Sequence, residues 1–236
     1  MGPPPKPIST AAEFDARLQS LQRAADVASS GRPGRIPMRQ LFELAKDFVA
    51  ASPVEIEVLL NRPDHPPRVV AVSIMDYQAR REATSDGERR QLYDLYLRRH
   101  DRIDTWDLVD RAAPHVVGGY LWDKPREPLY RLAASPHWYE RRTSIVSTWF
   151  FIRRDDVDDT FSIAEILAND PEDLVQKAVG GWIREAGKRD ESRLRDFLDR
   201  HAATMPRTAL RYAIEHLPPD TRDHYLNRKK DVPAQQ

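Results

Sequence analysis

Apolar runs with helical spacing recur at nearly regular intervals along this chain, and this repetition constrains its fold more than any other feature. The runs begin about 32–37 residues apart, near Val69, Trp106, Arg142, Leu174 and Arg207. Such a spacing is typical of a repeated helix–turn–helix unit, in which each unit contributes one helix that only its neighbours can bury. We therefore expect an all-α fold of HEAT-like helical repeats, forming a curved α-solenoid with a concave binding face.

The breaks between the runs favour the same fold class. Pro37, Pro53, Pro66 and Pro206 each stand at the start of an apolar-periodic run, where the missing N–H of proline is harmless. No window alternates apolar and polar residues as a half-buried strand does, and no Asn-Gly or Gly-Gly turn joins two β-branched runs. The pattern predicts about a dozen helices and no sheet.

The two ends of the chain set the predicted domain boundaries. The first eight residues, MGPPPKPI, contain four prolines, which predicts a disordered arm over 1–8. The segment Thr10–Glu13 has a capping-box pattern, which predicts the start of the first helix. The last residues predict a flexible tail over 227–236, and we expect one HEAT-like helical repeat domain over 9–226.

Several classes of chemistry are excluded by what the sequence lacks. The chain has no cysteine, which rules out disulfides, thiolate metal sites and a cysteine nucleophile. Its seven histidines are scattered without ligand spacing, and no phosphate loop, GxGxxG, HExxH or GxSxG motif occurs. No apolar run approaches the roughly 20 residues of a membrane span. We expect a cytoplasmic protein that uses no metal or cofactor and does not bind a membrane.

The charge is balanced overall but unevenly distributed. The chain has 37 Lys+Arg and 37 Asp+Glu, a formal net charge of zero. The segment 153–173 holds two arginines and eight acids, so the remaining residues carry a net formal charge of +6. We expect this acidic segment to lie on an outer face, away from any nucleic acid that the basic remainder binds.

The five tryptophans all lie between positions 106 and 182, and the first of them stands beside a group of acids. Asp110 is four positions after Trp106, which places the two on one face of a helix. Asp107 falls in the first turn of that helix, where its charge suits the helix dipole. A carboxylate beside an aromatic ring makes Asp110 a candidate functional residue, and the alternative is a surface salt bridge with Arg111 or Arg131.

Two further segments carry candidate functional residues. Arg142 begins an apolar helix one repeat after Trp106. Gly180 and Gly181 lie inside a helical pattern, where each costs about 1 kcal/mol relative to alanine. The pair therefore indicates a close approach by another helix or by a ligand backbone, and the alternative is tight helix packing beside a core Trp182.

Four segments together resemble the AlkD-type DNA alkylation-repair glycosylases. They are WDLVDRAAP (106–114), WYERRTSIV (138–146), LVQKAVGGWIREAGK (174–188) and MPRTALRYAIEHL (205–217), and the resemblance extends over about residues 40 to 226. It implies a fold of HEAT-like repeats. It also implies hydrolytic removal of cationic N3- and N7-alkylated purines from DNA, without a metal or nucleotide cofactor.

The resemblance also assigns roles to single residues. Trp106 matches the first aromatic wall of the family's site, and Asp110 matches its catalytic carboxylate. Arg142 matches the arginine that contacts a phosphate, with Arg141 beside it as the alternative. Lys177, Arg184 and Trp182 fall in the remaining DNA-binding motif. The family's second tryptophan corresponds to Gly181, and the indole stands one residue later at Trp182.

The resemblance therefore implies a base excision repair enzyme of the 3-methyladenine/7-methylguanine glycosylase type. Asp110 would stabilise the oxocarbenium ion and position water, and the partner would be double-stranded DNA with alkylated purines, bound by a monomer. The first alternative is a non-catalytic HEAT-like protein that binds damaged or branched DNA, for which the shifted tryptophan is the support. The second alternative is a helical scaffold that binds no nucleic acid.

Overall fold

The computed structural model describes residues 11–29 and 33–228, excluding the side chain of residue 11. Within those residues every regular element is helical and no strand occurs, so the expected all-α class is confirmed. No described helix is both long and apolar enough to cross a bilayer. The predicted arm over 1–8, the Thr10 cap and most of the predicted tail lie outside the described residues.

The chain divides into two units, of which the first runs to Tyr120 and the second starts at Leu121. The first unit contains α1 (Ala11–Ala28), α2 (Met38–Asp47), α3 (Pro53–Leu60), α4 (His65–Arg80), α5 (Asp86–Arg98), a 3₁₀ turn (His100–Arg102), α6 (Trp106–Ala112) and a π-helical segment (Ala113–Gly118). The short α7 (Gly119–Leu121) spans the boundary. The second unit contains α8 (Glu127–Ala133), α9 (Trp138–Ser147), α10 (Trp149–Ile152), α11 (Asp158–Leu167), α12 (Asp173–Gly187), α13 (Glu191–His201), α14 (Arg207–Ala213) and α15 (Pro219–Asn227).

Local signals explain where many helices begin. The prolines predicted to start helices do so, at the first turns of α2, α3, α4 and α14. Two capping boxes support further starts: Ser52 accepts from the N–H of Glu55, and Ser85 accepts from the N–H of Glu88. In each box the glutamate carboxylate also accepts from the backbone N–H of the serine. Backbone N–H groups at the N-terminal ends of α3 and α5 are thus hydrogen-bonded by nearby side chains.

Helix α4 forms the centre of the first unit. Its apolar run from Val69 to Met75 is buried, as the sequence pattern requires of a helix too apolar to stand alone. Helices α2, α3, α5 and α6 and the π-helical segment all pack against it. Helix α6 is therefore held in position by its contacts with α4.

Helix α12 has the same role in the second unit, with α9, α11, α13 and α14 around it. Its closest neighbour is α14, because a Cβ added to Gly180 would lie 2.3 Å from the carbonyl oxygen of Ala209. The predicted close approach at the glycine pair is therefore confirmed at Gly180, and the approaching element is a helix.

The predicted repeat is visible in the helix order. Helices α4, α6, α9, α12 and α14 begin within about five residues of the five predicted run starts. Consecutive members pack together within each unit, as α4 does with α6, α9 with α12, and α12 with α14. The single domain over 9–226 and its curvature stay predictions.

Candidate functional site

Helix α6 presents the tryptophan–carboxylate pair in the first unit. Leu108 and Val109 are fully buried and fix one side of the helix to the core. Trp106, at the first helical position, is 52% exposed, and Asp110, one turn later, is partly exposed. Asp110 is four positions after Trp106, so an indole and a carboxylate share one face of α6 at the protein surface.

Asp107 has a different environment from Asp110. The Thr105 hydroxyl donates to Oδ1 of Asp107 at 2.8 Å, and Nε2 of His65 lies 3.0 Å from Oδ2. These contacts connect the first turn of α6 to the first turn of α4. Asp107 therefore has a structural role, in agreement with the position predicted for it in the first turn.

The end of α6 and the π-helical segment are held by one buried carboxylate. Asp76 of α4 is 1% exposed, and its Oδ2 lies 3.0 Å from Nη1 of Arg111. Its Oδ1 lies 2.8 Å from Nδ1 of His115. Nε of Arg111 also donates to the Ser73 hydroxyl at 3.1 Å. Asp76 thus fixes the backbone on the C-terminal side of Asp110 through two side chains.

The Arg111 guanidinium is also enclosed by aromatic rings. Its Cζ lies 4.6 Å from the ring centroid of Phe42 and 4.7 Å from that of Tyr77. Stacking on two rings restricts the rotamers of Arg111 and adds to its ion pair. Of the two arginines considered as partners of Asp110, Arg111 binds Asp76, and Arg131 binds Glu127 at 2.6 Å.

Arg141 has a bracing role in the second unit. Its Nε and Nη2 donate to the two carboxylate oxygens of Asp170 at 2.6 and 3.1 Å. Its Nη1 donates to the carbonyl oxygens of Ser135 and Pro136 at 3.1 and 3.0 Å. Hydrogen bonding to Asp170 raises the pKa of Arg141 above its ordinary value. The guanidinium is thereby engaged on all three of its nitrogens.

Arg142 lies near Lys177. It is 7% exposed, and its Nη1 donates to the carbonyl oxygen of Leu174 at the start of α12. The Lys177 ammonium is exposed and binds Asp173 at 2.6 Å. The hydrogen bond to Asp173 raises the pKa of Lys177, and the nearby charge of Arg142 opposes that rise. The structure therefore brings these two predicted DNA-binding cations together.

Lys177, Gly181 and Arg184 follow one another along one face of α12. Their spacing of four and three residues is that of neighbouring turns. A Cβ at Gly181 would have no heavy atom within 4 Å, so the space above this residue is open. Arg184 pairs with Glu185 at 3.1 Å and with Glu215, so its charge is balanced within the unit.

Trp182 does not share this face with Gly181. Helix α12 is α-helical throughout Asp173–Gly187, so consecutive residues point about 100° apart. The Nε1 atom of Trp182 is buried and has no hydrogen-bond acceptor among the described residues. A π-bulge at the glycine pair, which would return the indole to the Gly181 face, is absent from α12. The π-helical segment lies instead at Ala113–Gly118.

Tyr212 is a residue that the sequence interpretation missed. It is 41% exposed on α14, and its Cβ would lie 2.7 Å from a Cβ at Gly180. It also lies close enough to Lys177 to affect the pKa of that ammonium. A partly exposed aromatic residue thus packs against Gly180, the neighbour of the open Gly181 position. The only sequence signal for this contact was the glycine pair, which predicts a close approach by another element but does not identify the residue that makes it.

Most acids of the segment 153–173 pair with basic side chains of their own unit. The partners are Asp155 with Arg189, Asp156 and Asp159 with Arg126, Asp158 with Arg193, and Glu165 with Arg200 and His201. Asp170 and Asp173 bind Arg141 and Lys177, two of the predicted DNA-binding residues. Ion pairing thus places these two acids beside residues predicted to bind DNA. The expectation that the acidic segment lies on an outer face, away from nucleic acid, stays a prediction.

These features define a class of helical protein. The first unit presents the indole of Trp106 beside the carboxylate of Asp110, and the second presents Lys177 near Arg142 and the partly exposed Tyr212. No group of three or more His, Asp or Glu side chains in residues 11–29 and 33–228 is arranged to hold a metal ion. The model of the family described as DNA alkylation repair enzyme matches residues 18–217, and the chain belongs to this family. Among curated proteins no match was found.

Proposed function

We propose that this protein is a DNA glycosylase that hydrolyses the N-glycosidic bond of cationic N3- and N7-alkylated purines, as the first step of base excision repair. Membership of the DNA alkylation repair family makes DNA the partner. The proposal adds the reaction, the substrate class and the catalytic residue. We further propose that it acts as a cytoplasmic monomer without a cofactor.

The single observation that carries the proposal is the exposed Trp106 beside Asp110. An indole left 52% exposed gives up much of the free energy that burial would provide, which is unusual for the largest apolar side chain. Asp76 pairs with Arg111 of α6 and with His115 just after it, so the helix that carries the indole and the carboxylate is held in place.

The chemistry required for such a substrate is modest. An alkylated purine is cationic and leaves readily, so the enzyme needs little acid catalysis. The sugar becomes an oxocarbenium ion, which a nearby carboxylate stabilises, and the same carboxylate orients the attacking water. An indole face packs against the sugar and favours the adjacent positive charge. Asp110 and Trp106 supply these two groups.

We assign the phosphate contacts of the second unit to Arg142 and Lys177. Arg141 is the weaker candidate, since all three of its guanidinium nitrogens donate within the protein. Arg184 is also a weaker candidate than Lys177, since it pairs with two glutamates whereas Lys177 pairs with one aspartate. We propose Tyr212 as the aromatic DNA contact in place of Trp182, because it is 41% exposed and packs against Gly180, next to the open position at Gly181.

The experiment that tests the function is single-turnover release of 7-methylguanine from a methylated duplex. We expect Asp110→Asn to abolish release and to retain DNA binding, because the amide has the shape of the carboxylate without its charge. The matched control is Asp101→Asn, which makes the same change at an exposed acid that lies 3.3 Å from Nε of Arg99. An Asp110→Asn variant that releases base as fast as this control contradicts the catalytic assignment.

A second candidate function is binding of damaged DNA without catalysis. The observation that favours it is the open position at Gly181, where no indole stands. The wild-type protein decides between the two functions. Base release under single-turnover conditions supports the glycosylase, whereas tight binding with no release over long incubation supports the binding protein.

A further inference from the structure

The turn between α10 and α11 carries two adjacent arginines that lie on aromatic rings. Cζ of Arg154 is 3.6 Å from the ring centroid of Phe150 and 5.5 Å from that of Trp122. Cζ of Arg153 is 5.6 Å from the ring centroid of Trp149. Both arginines are exposed, and the three rings are partly exposed. We call these five residues the arginine–aromatic surface.

These two arginines differ from their neighbours in having no anionic partner. Between residues 126 and 200, eight arginines form ion pairs with carboxylates: Arg126, Arg131, Arg141, Arg184, Arg189, Arg193, Arg195 and Arg200. Arg153 and Arg154 have no carboxylate within 4.0 Å in the described part of the chain, and Nη1 of Arg154 donates to the Phe150 carbonyl oxygen at 3.0 Å. Two positive charges are therefore left unbalanced on a chain of zero net charge.

The acids that follow these arginines in sequence face other partners. Asp155 has a φ of 60°, in the left-handed region that a residue other than glycine rarely adopts, so the chain turns sharply after Arg154. Asp155 then pairs with Arg189 at 3.2 Å, and Asp156 pairs with Arg126 at 2.7 Å. The turn thus separates two arginines from the two acids next to them.

The surroundings of Arg154 favour an incoming anion. Although the side chain is exposed, partial desolvation lowers the pKa of Arg154, and the positive charge of Arg153 lowers it further. A phosphate placed between the two guanidinium groups relieves their repulsion and accepts hydrogen bonds from both forks. The rings hold the guanidinium planes in place, so less side-chain entropy is lost on binding.

We propose that the arginine–aromatic surface is a second contact with the backbone of duplex DNA, separate from the contacts assigned to Arg142 and Lys177. The proposal rests on DNA being the partner of this protein, as the proposed function also requires, and it does not depend on base release. Arginines interleaved with aromatic rings suit a nucleic acid, because phosphates pair with the forks and the sugars pack against the rings. This surface supplies affinity and no sequence or lesion preference.

The test is the salt dependence of binding to an unmodified duplex, measured with the full chain. The double variant Arg153→Gln/Arg154→Gln removes two phosphate contacts, so the slope of log K against log salt becomes shallower by about two. The control is Arg131→Gln/Arg195→Gln, which removes two arginines that each pair with a glutamate one turn away. We expect this control to keep the wild-type slope.

The outcomes separate this proposal from the proposed function. A slope for the Arg153/Arg154 variant equal to that of the control overturns the DNA contact, even if the protein releases base. A shallower slope in a protein that releases no base supports the contact and removes only the glycosylase. The contact is also overturned if polyglutamate competes as well as duplex DNA at equal charge concentration, since the surface would then be one for acidic peptides.

Discussion

Asp76 and Arg111 form a buried ion pair, 3.0 Å between Oδ2 and Nη1, that joins the centre of α4 to the residue directly after Asp110. The same carboxylate contacts His115 on its other oxygen and Arg80 at 3.4 Å. One acid in the core therefore supports the surface helix that carries the proposed catalytic residue. The position of Asp110 on α6 is therefore supported by a carboxylate that is buried in the core.

We predict that Asp76→Asn lowers the free energy of unfolding by about 2–3 kcal/mol, because it leaves a largely buried guanidinium without its counter-charge. The control is Asp94→Asn, whose pair with Arg90 spans 3.6 Å between side chains that are both more than half exposed. It is expected to change stability by less than about 0.5 kcal/mol. Urea denaturation of both variants provides the measurement, and equal effects would show that the Asp76 pair contributes no more than a surface pair.

The two adjacent glycines of α12 are predicted to respond in opposite directions to the same substitution. Gly180→Ala places a methyl group 2.3 Å from the Ala209 carbonyl oxygen and is expected to destabilise the protein by about 1–3 kcal/mol. Gly181→Ala meets no atom within 4 Å and is expected to stabilise it by up to about 1 kcal/mol, through helix propensity alone. Denaturation midpoints that shift in the same direction would argue against the close approach of α14.

Trp106→Ala is predicted to lower kcat/KM for base release by about tenfold or more, since one stacking contact contributes roughly 1–3 kcal/mol. Its thermal stability is expected to stay close to wild type, because the indole is already 52% exposed. Val58→Ala, which truncates another apolar side chain that is half exposed, serves as the control for both measurements. A loss of stability without a loss of activity would assign Trp106 to packing.

Tyr130 is predicted to make stability depend on pH in the alkaline range. Burial and the hydrogen bond to Asp159, 2.6 Å from the hydroxyl, raise the pKa of Tyr130 from 10.0 to about 12. The folded state therefore keeps this proton where the unfolded state has lost it, so the stabilisation is complete below pH 10 and declines as the pH rises towards 12. The stability advantage of wild type over Tyr130→Phe should shrink across this interval in urea titrations, and an advantage that stays constant would contradict the shift.

The sequence predicted the helices better than the contacts between them. Proline positions and apolar periodicity are local, and they located α2, α3, α4 and α14 correctly. The capping boxes at Ser52 and Ser85 follow the same S-x-x-E rule that was applied to Thr10, and the same rule would have found them.

The partners of the charged residues depend on chain segments far apart in sequence. Arg141 and Arg142 are adjacent residues of the same type, so the sequence alone does not show which one is engaged within the protein. Arg141 is engaged because Asp170, 29 residues away, accepts its hydrogen bonds. The apposition of Tyr212 to Gly180 likewise depends on how α14 crosses α12, which no local pattern specifies. The roles of Trp106, Asp110 and Arg142 in catalysis and DNA binding stay predictions.

The π-helical segment Ala113–Gly118 constrains how many residues this part of the chain can contain. A π turn accommodates one residue more than an α turn, so every side chain beyond it is rotated relative to a continuous α-helix. His115 reaches Asp76 from within this wider turn. Deleting one residue here would draw the backbone into a regular helix and move His115 off its carboxylate. We therefore expect the number of residues in this stretch after Asp110 to matter to the fold as well as their identity.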